Sequence, residues 1–172
     1  MIGRRGTMAV LGGLAVLLLA FAVVSGCQGV TRLRGRGNGM AEAEQAARLF
    51  VEAYGSFDFR DPAAYRERLL GLSTGAVYDA VASSAVDPAV LSQQQTFTTG
   101  SVAVVVTAFS SAEATASVTA EQTRSAVDPS TGQERVQRVR QHITCRLVNV
   151  DGRWMVAEFQ LMSQEPLQST SK

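Results

Sequence analysis

Along the chain, apolar and polar positions change period twice. Residues 6–30 form one uncharged run. Beyond Ala41 the apolar residues return at helical spacing, and beyond Ser101 they alternate. In "AEAEQAARLFVEAYG", Ala43, Ala46, Ala47, Phe50, Val51 and Tyr54 share one face of a helix. Glu42, Gln45, Arg48 and Glu52 hold the opposite face, and Gly55 is placed to stop it. Glu44 precedes Arg48 in the favourable i,i+4 order. Asp61-Pro62 reads as an N-cap followed by proline at the first helical position, opening a short helix to about Leu70 that presents Tyr65 and Leu69. A third helix follows Thr74, with Val77, Ala80, Val81, Ser84 and Ala85 on one face, and Asp87-Pro88 ends it.

The second half reads as strands. "SVAVVVTAF" is rich in β-branched residues. In "AEATASVTAEQT", Ala114, Ala116, Val118 and Ala120 alternate with Thr115, Ser117, Thr119 and Glu121, so one face is buried and one wet. Asp128 to Gln133 ("DPSTGQ") reads as a hairpin loop. The returning strand sets Val139, Ile143, Cys145 and Leu147 on the core face, with Gln141 the one clearly polar member there. Arg138, Arg140, His142, Thr144 and Arg146 take the other face. A two-residue turn at Asp151-Gly152 sets Arg146 opposite Ala157 and mixes the faces, whereas a three-residue bulged loop with Gly152 left-handed lets Met155, Ala157, Phe159 and Leu161 join the core face. Trp154 is expected to cover the sheet end beside Val148 or Val150. The expected fold class is α+β: amino-terminal helices on one face of a curved antiparallel sheet of about four strands.

Charge separates the amino terminus from the rest. Five arginines (Arg4, Arg5, Arg32, Arg34, Arg36) and no acid precede Ala41; after it, eleven bases face fifteen acids. The basic stretch suits anionic headgroups. It is short and lacks aromatic residues, which argues against nucleic acid. One histidine and no ligand cluster argue against a metal, and nothing implies a cofactor. The uncharged run after Arg4-Arg5 is long enough to span a membrane. It has two readings. "VSGC", with Ser25 and Gly26 before Cys27, resembles a lipobox, making residues 1–27 a lipoprotein signal and Cys27 the lipidated residue. Alternatively the helix is retained as an anchor. Residues 28–40, with four glycines, read as a flexible basic tether, 41–163 as the domain, and 164–172 as a disordered tail. Either way the domain is expected on the extracytoplasmic side of a cell membrane.

"FVEAYGSFDFRDP" and "CRLVNVDGRWMVAEF" resemble the nuclear transport factor two-like (cystatin-like) fold. More narrowly, they resemble Mce-associated membrane proteins and the bitopic periplasmic subunit of conjugative and type IV secretion machines. The resemblance covers roughly Ala41 to Leu161, and Phe57 to Arg60 is its more specific part. It implies a non-enzymatic extracytoplasmic assembly module with envelope protein partners. Such proteins keep an uncleaved helix, so the lipobox-like "VSGC" departs from the pattern.

The residues themselves point the same way. Pocket chemistry in this fold needs an acid or histidine with a shifted pKa facing the cone. The apolar sheet face carries none, and His142 lies with the arginines. Asp58 and Asp61 suit turn and capping roles, and Cys145 suits the core. The stripe Arg138, Arg140, His142 and Arg146 reads either as a solvated face, with Glu113, Glu121 and Glu158 as cross-strand neighbours, or as a docking face for an acidic partner or headgroups. A cone lined by Phe50, Tyr54, Phe159 and Leu161 could hold an apolar molecule. Three functions follow in order: assembly module, carrier of an apolar ligand, and isomerase- or cyclase-like enzyme. The intact mass of protein extracted from its native membrane separates the two anchors. A chain beginning at diacylglyceryl-modified Cys27 is expected, and a mass that includes Met1 to Gly26 contradicts it.

Overall fold

The computed structural model describes residues 37–167, and those from Gly39 onward form one compact unit. The amino-terminal apolar run, Cys27 and most of the basic segment lie outside the described residues. Helix α1 covers residues 37–54. It is followed by strand β1 (Phe57–Asp58), helices α2 (Pro62–Leu72), α3 (Gly75–Ser83) and α4 (Pro88–Ser92), and strands β2 (Thr96–Phe109), β3 (Glu113–Val127), β4 (Glu134–Val150) and β5 (Arg153–Pro166). The five strands form one antiparallel sheet in chain order. This is the α+β arrangement that the periodicity predicts, with the short β1 added at one edge.

Helix α1 buries the face its spacing marks out. Ala43, Ala47, Phe50 and Val51 are buried in the same core cluster as Ala114, Ala116, Val118 and Ala120 of β3. Small side chains on both elements let the helix approach the sheet closely. Its beginning corrects the expected boundary, because residues 37–40 are helical and not tether. A Cβ on Gly39 would stand 3.0 Å from Phe109 Cζ, so this glycine serves a close contact. At the other end, side chains satisfy the last carbonyls, which have no helical partner. Thr99 donates its hydroxyl to Glu52 O at 3.3 Å, the Tyr65 hydroxyl donates to Tyr54 O at 3.1 Å, and Gln122 Nε2 donates to Gly55 O at 3.2 Å.

The cap expected at Asp61 is present: its carboxylate accepts from Ala64 N at 3.0 Å, with Pro62 in the first turn. Asp87-Pro88 does more than end α3. Asp87 accepts from Ala89 N at 2.8 Å and opens a further short helix, α4. Ser73 forms an isolated bridge to Val156, and Thr74 N donates to Val156 O at 2.9 Å. This tie carries the α2–α3 corner to β5.

β3 and β4 pair without a register shift from Glu113–Val148 to Val127–Glu134. The last hairpin differs from expectation. Asp151 (φ 51) and Gly152 (φ 85) both take positive φ, and Val150 pairs with Arg153. This is a two-residue turn whose twist suits the strands. The extra residue sits further along β5: Leu147 faces Val156 while Arg146 faces Glu158, leaving Ala157 as a bulge. Core positions on β5 are therefore Trp154, Val156 and, beyond the bulge, Phe159 opposite Cys145, with Ala157 itself buried; Met155 pairs with Val148 on the other face. Trp154 consequently does not lie beside Val148 or Val150; it is buried against Phe109, ring centroids 5.5 Å apart. A second bulge leaves Met162 unpaired. β5 then continues to Pro166, and Leu167 N donates to Arg138 O at 2.9 Å. The expected tail boundary at 164 is corrected by this pairing.

Gly55 offers a direct test of how closely α1 sits on the sheet. A Cβ there would stand 2.1 Å from Thr99 Oγ1 and 3.3 Å from Gln122 Nε2. Gly55→Ala should cost about 1–3 kcal/mol in chemical denaturation, because the Thr99 hydroxyl must move away and give up its bond to Glu52 O, or the helix end must shift. An unchanged midpoint would show that the helix end has room to spare.

Candidate functional site

Helices α1, α2 and α3 and the concave side of the sheet enclose a groove of about 1070 Å³. Phe50 and Tyr54 come from the last turns of α1, and Phe159 of β5 packs against both, with centroids 5.6 and 4.5 Å away. Phe57 of β1 meets the edge of Tyr65 at 5.1 Å and Phe97 of β2 at 5.5 Å. Val77, Ala80 and Val81 of α3 and Val90 of α4 form the far wall. Three of the four residues expected from the sequence, Phe50, Tyr54 and Phe159, line this groove. Leu161 does not: it pairs with Ile143 on an edge strand beside the Met162 bulge and stays 40% exposed.

Most ionisable groups on the lining are already engaged. The Tyr65 hydroxyl is bonded to the end of α1, and burial pushes its pKa up to about 12, with Tyr54 adding to the shift. Arg66 donates to Ala82 O, and Asp87 caps α4. Glu158 accepts from Arg146 at 2.6 Å, and that hydrogen bond holds its carboxyl below the usual range. Glu67 is exposed at the rim. Acid–base chemistry needs a titratable group poised near the working pH; the shifts at Tyr65 and Glu158 move both groups away from neutrality. Cys145 is buried on the core face, where desolvation raises its thiol to about 12. Among the described residues no three His, Cys, Asp or Glu side chains gather as a metal site.

The opposite face carries the charged stripe. Arg138, Arg140, His142 and Arg146 project together, as their alternation requires. Arg146 lies 3.3 Å from Glu113 and 2.6 Å from Glu158. Arg140 and Arg138 lie 2.8 and 3.9 Å from Glu121, and His142 Nδ1 is 3.2 Å from Thr119 Oγ1. The arginines thus meet their expected glutamate neighbours in a cross-strand ladder of mixed sign. Asp58 and Arg60 close a local turn, with Arg60 N donating to Asp58 Oδ1 at 2.9 Å.

Sequence reasoning did not anticipate Phe57, Tyr65 and Phe97 as groove residues, nor Arg124 beside them. Arg124 was within reach. The alternation that buries Ala120 continues through Gln122 to Arg124 and sets both on the concave face.

No protein-family model and no curated protein matches the chain. Among solved structures it is similar to one described as an "Ntf2 like protein involved in plasmid conjugation", at 14% identity and a TM-score of 0.56, over 78% of this chain and 52% of that one. The chain therefore spans about half the length of that structure. The intermembrane-space region of chloroplast protein ARC6 matches at 17% identity, over 74% of this chain and 94% of that one, but with a TM-score of 0.43 it carries no weight. The chain has the nuclear transport factor two-like fold: helices at the amino terminus over a curled antiparallel sheet of five strands.

Two outcomes follow from the two faces. Replacing Arg138 and Arg140 with glutamine should lower the unfolding free energy by no more than about 1 kcal/mol, since exposed pairs contribute little; loss of folding would contradict this. In the native protein Cys145 should resist alkylation at pH 8 and react only on unfolding, as peptide mapping would read. Fast native labelling at that position would contradict its burial.

Proposed function

We propose that the chain is a non-enzymatic interaction module, held on the extracytoplasmic side of a membrane by its amino-terminal segment, and that the concave groove is its working surface. The observation that carries this reading is the groove itself: a large volume with an aromatic and aliphatic lining, where Tyr65, Asp87 and Glu158 are committed to structural hydrogen bonds. Binding sites of this kind gain affinity from apolar burial and orientation from a few polar groups. The uncharged run before Cys27 and the arginines after it support the tether. The fold shared with a protein described as involved in plasmid conjugation supports a part in an envelope assembly. A second reading uses the same surface differently: the volume and the apolar lining also suit a small apolar molecule, which the protein would carry or sense.

Val81 tests the proposal because it lines the groove and is only half-buried. Val81→Arg places a charge in the apolar lining while leaving the sheet untouched. Recovery of envelope proteins with the tagged, full-length chain from native membranes should fall at least tenfold, with the unfolding midpoint preserved. An identical set of partners at wild-type yield would contradict the groove as the working surface.

A further inference from the structure

Every aspartate and glutamate of the chain lies between Glu42 and Glu165, within the described residues. Arg48, Arg60, Arg135, Arg138, Arg140 and Arg146 each have a carboxylate within 4.0 Å. Among the described residues Arg66, Arg68, Arg124 and Arg153 have none, and of these four only Arg124 is half-buried, on the concave face. Its guanidinium is held by amide oxygens: Nε donates to Gln122 Oε1 at 2.6 Å and Nη2 to Gln164 Oε1 at 2.9 Å. Gln122 is itself buried and fixed by its bond to Gly55 O. Gln141, also buried, donates to the same Gln164 oxygen at 3.2 Å. A network of amides therefore fixes a cation in place without neutralising it.

That cation stands beside the groove lining and not in it, next to Phe97. Arg124 is the direct cross-strand partner of Phe97, and its Cζ lies 5.5 Å from the centroid of the Phe97 ring. Phe97 in turn lines the groove. The two glutamine oxygens engage Nε and Nη2 of the guanidinium. Among the described residues Nη1 has no protein acceptor, and that nitrogen is left for an anion to engage.

Resting on the reading of the groove as the working surface, we propose that Arg124 is an anion receptor at its Phe97 end. The occupant is an amphiphile whose apolar chain lies in the groove and whose single anionic head, a carboxylate or a phosphate monoester, meets the guanidinium. The aromatic lining supplies affinity and the oriented cation supplies selection, since an uncharged head leaves the arginine unpaired. A purely structural Arg124, serving only to cover Phe97, would bind charged and neutral heads alike.

The experiment is a calorimetric titration of the full chain in detergent-free nanodiscs with dodecanoate, dodecyl phosphate and dodecanol, each below its aggregation threshold. The wild type should bind at least one of the two anions about tenfold more tightly than the alcohol, the usual worth of a charge-assisted bond. Arg124→Gln should erase that preference while retaining binding of the alcohol, and Arg124→Lys should restore part of it. Circular dichroism would confirm that both variants fold. Dodecyl phosphate preferred over dodecanoate would point to a lipid phosphate as the source, and the reverse to a free fatty acid. Equal binding of anion and alcohol by the wild type, or a preference that survives in Arg124→Gln, overturns the Arg124 assignment and leaves the groove reading standing. No binding of any of the three overturns the amphiphile itself, and the Val81→Arg recovery experiment then judges the groove separately.

Discussion

The close docking of helix α1 on the sheet is the contact on which the rest depends. Alanines on the helix face the alanine-rich stripe of β3, and this brings two backbones nearer than larger side chains allow. Thr99, Gln122 and Tyr65 then receive the carbonyls at the end of the helix. Those carbonyls are costly to bury unpaired, so the helix end can settle in few other places. With it fixed, Phe50 and Tyr54 stand over Phe159, and one wall of the groove is complete. Gln122 belongs to both the clamp and the amide network around Arg124, so helix docking and the placing of that cation are one structural event.

The two faces of the sheet follow from the same alternation but end in different chemistry. On the outer face three arginines of the stripe meet three glutamates, Arg138 and Arg140 sharing Glu121 and Arg146 lying between Glu113 and Glu158, so the charges of these six balance over the stripe. On the concave face an arginine stands among amides and aromatic rings with no acid beside it. A cation in water with a carboxylate neighbour attracts a further anion weakly. A half-desolvated cation with a nitrogen left unengaged attracts one more strongly. The face that looked most basic in the sequence is thus the more neutral one in the structure.

What could be read in advance was what short-range period determines. The apolar face of α1, the alternating faces of β3 and β4, the Asp61 cap and the Glu44–Arg48 pair, 3.3 Å apart, all rest on spacing within a few residues. The two-residue β1 could not be read, because it exists only through pairing with Phe97 and Thr96 far along the chain. At the last hairpin, the conflict of faces was legible from Arg146 and Ala157. Its resolution was not, because a turn and a strand bulge absorb the same extra residue, and the favourable Asp151-Gly152 turn moved it to Ala157. The groove was partly legible: aromatic residues on α1 and β5 announced themselves, while Phe57, Tyr65 and Phe97 converge only once α2 and β1 are folded back.

The central claim is that the groove between the helices and the sheet is the surface through which this domain acts. Site-specific photo-crosslinking in intact cells tests it most directly, with the crosslinker placed at Val81 in the groove or at Val105, which is 63% exposed on β2. The account predicts strong adducts, with protein or lipid, from position 81 and few from position 105. Adducts from 105 with none from 81 would contradict it.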